Sequence, residues 1–352
     1  MPKVLVYVPS LYRLGPAAPL MAGLPMFAAR GMDVQLVTDE ITNGLEGGLE
    51  VPVHRCRENR GERLWHFKLR KIARELRADV LHNWCGPAAV DFAWKGLRGR
   101  RFASAEDVSL ASQLLKRSKS RVELLVLQDD TASMKRPDEF GCDSISVPCL
   151  QTGPAFPEST SQSDPDYFRS RFGIPAGSFV AVASARLEPW SRLKDLIWAT
   201  DLLCCVRDDF HLVIAGTGHQ QKRLERFARQ TESSAHVHFH GLPKDPVAMI
   251  GSADLFWQSS PAASGRHAMF TAMSVGVPVI SAAGTNCTGL VLHQQTGFLI
   301  PQGSRDGFAR WSKFLIELPD QKTQLTKQAS SHIAEIFPPG NQLERLADAW
   351  MA

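Results

Sequence analysis

The most chemically suggestive stretch of the chain is Ser259-Ser260-Pro261-Ala262-Ala263-Ser264-Gly265-Arg266-His267, a small-residue loop that runs into a helical pattern from Ala268 to Val275. The start of a helix has unpaired backbone N–H groups, and these attract phosphate oxygens. Arg266 and His267 fall at that terminus. Arg186, in the loop Arg186-Leu187-Glu188-Pro189-Trp190-Ser191-Arg192, is a candidate to face it. Arg266, His267 and Arg186 together would neutralise a diphosphate as it leaves. A third loop, Pro9 to Pro16 with Gly15, follows the first apolar run. The plainer reading is a strand–loop–helix join whose arginines point to water, because glycine-containing turns carry little information alone.

Other chemistry-bearing groups are sparser. Asp129-Asp130 follows the apolar run Leu124 to Leu127, where paired aspartates act as turn caps or as acid–base groups. His236, His238 and His240 alternate, which puts them on one face of a strand with no carboxylate or cysteine beside them. No H-E-x-x-H occurs, and no G-x-G-x-x-G follows the first strand, which argues against a zinc hydrolase and a dehydrogenase.

The elements that must position these groups alternate in type. Val4–Val8, Asp33–Val37, Asp79–His82, Phe179–Ala183, His211–Ala215 and Val237–Gly241 read as strands. Further strands are expected at Ala253–Phe256 and Val277–Ile280. Pro19–Arg30, Glu62–Leu76 and Lys194–Cys205 read as helices. Such βαβ alternation predicts parallel sheets. At 352 residues the chain is long enough for two domains. The Pro- and Ser-containing stretch Pro154 to Pro165 has the composition of the linker between them.

An apolar fraction of 44% and a charged fraction of 22% are those of a globular protein. A net charge of +4 is too mild to imply nucleic acid. Seven cysteines without a C-x-x-C pair argue for free thiols in a reducing compartment. The first apolar run is too short for a signal sequence, and no segment is long enough to span a membrane, so a cytoplasmic location is expected. The basic, apolar-interleaved stretch from Arg55 to Arg77 is either a solvated helix face or a peripheral contact with anionic lipid at the inner face of the membrane.

Several blocks, in order, resemble the retaining GT-B enzymes of glycosyltransferase family 4, the glycosyl transferases group 1. They are Ala185-Arg186-Leu187, Leu196-Ile197 with Ala199, Ala215-Gly216-Thr217-Gly218, Phe239-His240-Gly241, Ser252-Ala253-Asp254, Ser260-Pro261, Thr271 to Ile280 and Thr296 to Pro301. The series covers roughly 178–301; the first half is similar only in outline. The resemblance implies an α/β fold of GT-B type, two doubly wound Rossmann-like domains facing a central cleft. Residues 1–155 would be the acceptor side and 156–335 the nucleotide-sugar donor side. Residues 336–352 would form a helix packing back on the first domain.

It further implies transfer of a hexosyl-type sugar from a UDP- or GDP-linked donor to a carbohydrate or lipid-linked acceptor, with retention and with no metal or tightly bound cofactor. The family's site is altered here. Its two donor-domain glutamates, one near the reacting sugar and one on the nucleotide ribose, fall at Ala263 and Thr271. Its phosphate-neutralising lysine falls at Ser191, where Arg192 or Arg266 would substitute. Its acceptor-side histidine falls at Glu106, the candidate catalytic group. Its Gly-Gly turn is replaced by Leu14-Gly15-Pro16, and only Arg186 remains of the usual charged set. Two alternatives stay open. One is an inactive GT-B homologue serving as a partner or sugar-recognition subunit. The other is a sugar-nucleotide epimerase using Glu106, Asp129 or Asp130 with His240.

Overall fold

A computed structural model describes residues 1–12, 15, 17–41, 49–56, 65–87, 89–105, 124–127, 164, 166–261, 265–284, 287, 289–336 and 341–352. Glu106, Asp129, Asp130, Ala263 and nearly all of the 154–165 stretch lie outside these residues. The chain forms two compact units, Met1–Ala155 with Phe337–Ala352, and Phe156–Ile336.

The first unit contains β1 (Lys3–Leu11), α1 (Ala18–Ala29), β2 (Asp33–Ile41), β3 (Val53–Arg55), α2 (Trp65–Leu76), β4 (Val80–Trp84), α3 (Ala89–Ala93), β5 (Arg100–Ala105) and β6 (Leu124–Leu127). The strands form one parallel sheet in the order β3-β2-β1-β4-β5-β6. Alternation along β1 divides its side chains between two cores. Val4, Val6 and Val8 pack with Leu20, Leu24, Phe27 and Phe102. Leu5 and Tyr7 pack with Trp65, Leu69 and Trp94. A strand buried on both faces needs this continuous apolar run. Gly31 closes α1 at φ +77°, the left-handed conformation that glycine reaches without steric cost.

The second unit contains α4 (Tyr167–Phe172), β7 (Phe179–Ser184), α5 (Leu193–Cys204), β8 (Phe210–Ala215), α6 (Gln221–Ala228), β9 (Val237–Gly241), α7 (Pro246–Gly251), β10 (Leu255–Gln258), α8 (Arg266–Ser274), β11 (Val279–Ala282), β12 (Phe298–Ile300), α9 (Arg305–Glu317) and α10 (Pro319–Ile336). Its parallel sheet runs β12-β11-β10-β7-β8-β9. Two expected strands are displaced. Ala253 and Asp254 precede β10, and Val277 and Pro278 precede β11, because these residues form the turns that enter each strand.

Read from each unit's own first strand, both sheets have the doubly wound order 3-2-1-4-5-6. The order reverses between β1 and β4, and again between β7 and β10. Open sheets of this kind bind ligands beyond the carboxyl ends of the strands at such a switch point.

The last helix, α11 (Asn341–Met351), belongs to the first unit. Leu346 and Trp350 join its core, and the Arg100 guanidinium donates to the Ala349 carbonyl at 2.9 Å. The Trp350 indole donates to His82 Nδ1 at 3.2 Å, so the opposite ring nitrogen carries the proton and donates to Ser104 Oγ at 2.7 Å. Complete burial pushes His82 down to about 3.

In the histidine row, His236 and His238 are half-buried and His240 is buried. His240 stacks on Tyr167 and accepts its hydroxyl at 2.7 Å, while His238 packs on Phe172 and meets His211 at 3.2 Å. Helix α4 covers two of the three. His236 lies in a short turn before β9.

Candidate functional site

At the switch point of the second sheet, the loops after β7 and β10 lie side by side. The Ser259 hydroxyl donates to the Ser191 carbonyl at 2.6 Å, and the Ser191 hydroxyl donates in turn to the Arg186 carbonyl at 2.5 Å. The loop after β8 closes on them from the other side. A Cβ on Gly216 would lie 1.9 Å from the Ala185 carbonyl oxygen, and one on Gly218 would lie 2.5 Å from that of Leu187. Only glycine permits this approach. It brings His219 to Glu188, whose buried carboxylate accepts from the imidazole Nδ1 at 2.8 Å. That hydrogen bond, with the nearby Arg186 charge adding to it, holds Glu188 below its ordinary pKa. The Glu188–His219 pair was not singled out in the sequence; the two glycines before His219 are the signal that could have found it.

Gly265 precedes α8, and a Cβ there would meet the buried Gln258 amide at 2.1 Å. Among the described residues, no side chain caps this helix. Arg266 and His267 are its first two residues, both half-buried. Removal of the His267 ring from water, with the Arg266 charge adding, pushes it down to about 4, so it is neutral at pH 7. Burial pushes the Cys287 thiol up, and the Arg266 charge acts against that shift, so Arg266 lies close to the segment after β11. There Gly284 packs on Pro261, where a Cβ would fall 2.6 Å from the Pro261 carbonyl oxygen. One helix terminus is thus framed by two loops and carries a cation and a neutral imidazole.

The sequence candidates separate by environment. Arg186 is exposed beside Glu188. Arg192 sits at φ +52° before α5, and its guanidinium is held by Asp195 at 2.7 Å. Thr271 is buried on α8, and its hydroxyl donates to the His267 carbonyl at 2.9 Å. Ser191 is buried in the loop–loop join. Gly15 lies in the turn from β1 to α1, where an added Cβ would still clear the Tyr12 carbonyl oxygen by 3.4 Å.

The switch point of the first sheet has its own polar cluster. The Tyr7 hydroxyl donates to Asp39 at 2.8 Å, and the Asn83 amide donates to Asp91 at 2.9 Å. Burial raises Asp91 to about 6, against the Asn83 hydrogen bond and the Arg101 charge. Its second carboxyl oxygen is buried without a partner. Asp91 is a site candidate the sequence did not reveal, since it sits in an ordinary helical pattern.

Residues 166–332 match the model of the glycosyl transferases group 1 family. The second unit is thus similar to the glycosyl transferases group 1 domain. The whole chain has the GT-B fold. It superposes on Anabaena Alr3699/HepE, crystallised with UDP-glucose, with a TM-score of 0.79 at 18% identity, covering 99% of each chain. It matches WaaG, a glycosyltransferase involved in lipopolysaccharide biosynthesis, with a TM-score of 0.73 at 14% identity, covering 99% of this chain and 100% of that one. A sequence relative is the lipopolysaccharide core biosynthesis glycosyltransferase LpsE of Rhizobium meliloti, 22% identical over 183 residues. The match takes in 52% of each protein, so the chain spans about half the length of this relative. The matched residues include Arg186, Arg192, Gly265, Arg266, His267 and Thr271. Among the described residues, no helix is long and apolar enough to cross a membrane.

Proposed function

We propose that this chain transfers a sugar from a UDP- or GDP-linked donor to a carbohydrate or lipid-linked acceptor, with retention of configuration. The supporting observation is the start of α8, packed by Gly265 against Gln258 at the sheet's switch point. As the bond from the sugar's anomeric carbon to the β-phosphate oxygen breaks, negative charge grows on the diphosphate. Backbone N–H groups of α8, with Arg266 and the exposed Arg186, would take up that charge in a preorganised frame. His267, neutral at pH 7, could donate a hydrogen bond without adding charge. Arg192 would contribute only by sharing a guanidinium already held by Asp195. Glu106 is the proposed carboxylate on the acceptor side. Lipid contact through 55–77 belongs to the same proposal; α2 buries Trp65, Leu69 and Ala73 and exposes Phe67. HepE, of the same fold, has been crystallised with UDP-glucose, which favours a uridine donor.

A second reading, an inactive homologue that retains the fold as a partner subunit, draws on Ser191 and Thr271. Both stand where the family resemblance places charge, and both hydroxyls donate to nearby carbonyls. Calorimetric titration with a panel of UDP- and GDP-sugars, followed by an assay for slow donor hydrolysis, separates the two. Binding with hydrolysis supports the enzyme; silence across the panel supports the partner. Arg186→Ala is expected to weaken binding roughly tenfold or more, as loss of a charged hydrogen bond does.

A further inference from the structure

A cavity of about 590 Å³ opens in the first unit where the chain enters β4 and β5, the end of the sheet opposite the switch-point loops. Four arginines line it, Arg74 and Arg77 from the end of α2 and Arg98 and Arg100 from the approach to β5. The acid in its wall is Asp79, and one of that carboxylate's oxygens already accepts the Lys3 backbone N–H at 2.8 Å. Glu75, the next acid on α2, pairs with Lys71 at 3.8 Å. Among the described residues, no carboxylate pairs with Arg74, Arg77 or Arg98.

The helix dipole accounts for cations at the end of α2 but not for two more arriving from another segment. Arg77 also sits at φ +50°, just past the helix, where glycine would be free of strain. Arg100 is fixed by the Ala349 carbonyl and lies 5.1 Å from the Phe102 ring centroid, so one wall is rigid. A concave surface of one sign concentrates counter-ions, and guanidinium forks match phosphate oxygens in pairs.

We propose that this cavity is a second anion site, distinct from the α8 terminus, that binds a phosphomonoester or diphosphate group. The ligand is either a soluble sugar phosphate or a phospholipid headgroup. The site needs neither a donor sugar nor turnover, so it stands whatever becomes of the transfer reaction.

Inorganic pyrophosphate, titrated into the full chain and into an Arg74→Ala/Arg98→Ala variant, tests it. The variant should bind at least about tenfold more weakly, with an unchanged thermal midpoint because both side chains are exposed. Arg98→Lys should recover part of the loss, since the charge returns without the fork. Titration with a UDP-sugar, whose diphosphate is esterified at both ends and lacks a terminal phosphate, should be the same in wild type and variant. Cosedimentation with phosphatidylcholine vesicles, with and without phosphatidic acid, against titration with glucose 1-phosphate then separates headgroup from soluble ligand. Pyrophosphate binding that is equal in the two proteins, or absent from both, overturns the proposal.

Discussion

The hydroxyl of Ser259 lies 2.6 Å from the carbonyl oxygen of Ser191, joining two loops that are 68 residues apart in the chain. Ser191 spends its own hydroxyl on Arg186 and is buried, so the position where a phosphate-binding lysine was expected now serves packing. Ser191→Lys should therefore destabilise the protein by roughly 2 kcal/mol or more, because a buried site would have to expel an ammonium. It should bring no gain in UDP-sugar affinity. Ser259→Ala should cost about 1 kcal/mol, the worth of one hydrogen bond. Urea unfolding reads both, and a tighter-binding, fully stable Ser191→Lys protein would contradict the packing role.

Gly216 and Gly241 make a matched pair. Both have positive φ, +142° and +74°. A Cβ on Gly216 would strike the Ala185 carbonyl, whereas one on Gly241 meets nothing within 4 Å. Gly241→Ala should lose about 1 kcal/mol of stability from the left-handed backbone alone. Gly216→Ala should lose several times that, because the carbonyl must move as well. Equal urea midpoints for the two variants would show that the loop after β8 yields easily.

The buried histidines should make the protein lose stability in acid. His82, His211 and His238 are lowered from 6.5 to about 3, about 4 and about 4, chiefly by burial. The unfolded chain takes up these protons below pH 6.5 and the folded chain does not. The stability they contribute is complete above 6.5 and is lost as the pH falls toward the depressed values. The slope approaches ~1.4 kcal/mol per pH unit for each group. Trp350→Phe, which leaves His82 Nδ1 without its donor, should cost about 1–3 kcal/mol at neutral pH. Urea midpoints measured from about pH 8 to about pH 5 follow the histidine titration.

Asp91 has the opposite sign. Its folded pKa is raised from 3.8 to about 6, so above that value the folded protein holds a buried charge that the unfolded chain would solvate. Asp91→Asn should raise stability at neutral pH, by about 3 kcal/mol at most, with the difference vanishing below pH 4. If Asp91 also serves the acceptor side, the same variant should lose glycosyl transfer while it gains stability. A variant less stable than wild type at pH 8 would rule out an ionised, desolvated carboxylate.

Local pattern in the sequence was enough for much of this protein. Apolar runs marked β7, β8 and β9 within a residue and located β1 and β2, which continue to Leu11 and Ile41 beyond the expected Val8 and Val37, because each strand's burial is written in its own side chains. The loop into α8 and its first residues, Arg266 and His267, were legible for the same reason. The ordered blocks from Ala185 to Pro301 carried the fold.

Strand order was not legible, since hydrogen-bonded neighbours in a sheet leave no periodic mark on one another. It was the pairing of β7 with β10 that set Ser191 under Ser259, and the turn at Gly216 that brought His219 to Glu188. Burial of Asp91 beside Asn83, and the gathering of Arg74, Arg77, Arg98 and Arg100 around one cavity, likewise depend on segments meeting in space. Residue type alone says whether a side chain can carry charge. Only the tertiary structure sets the desolvation and the partners that decide what the charge does.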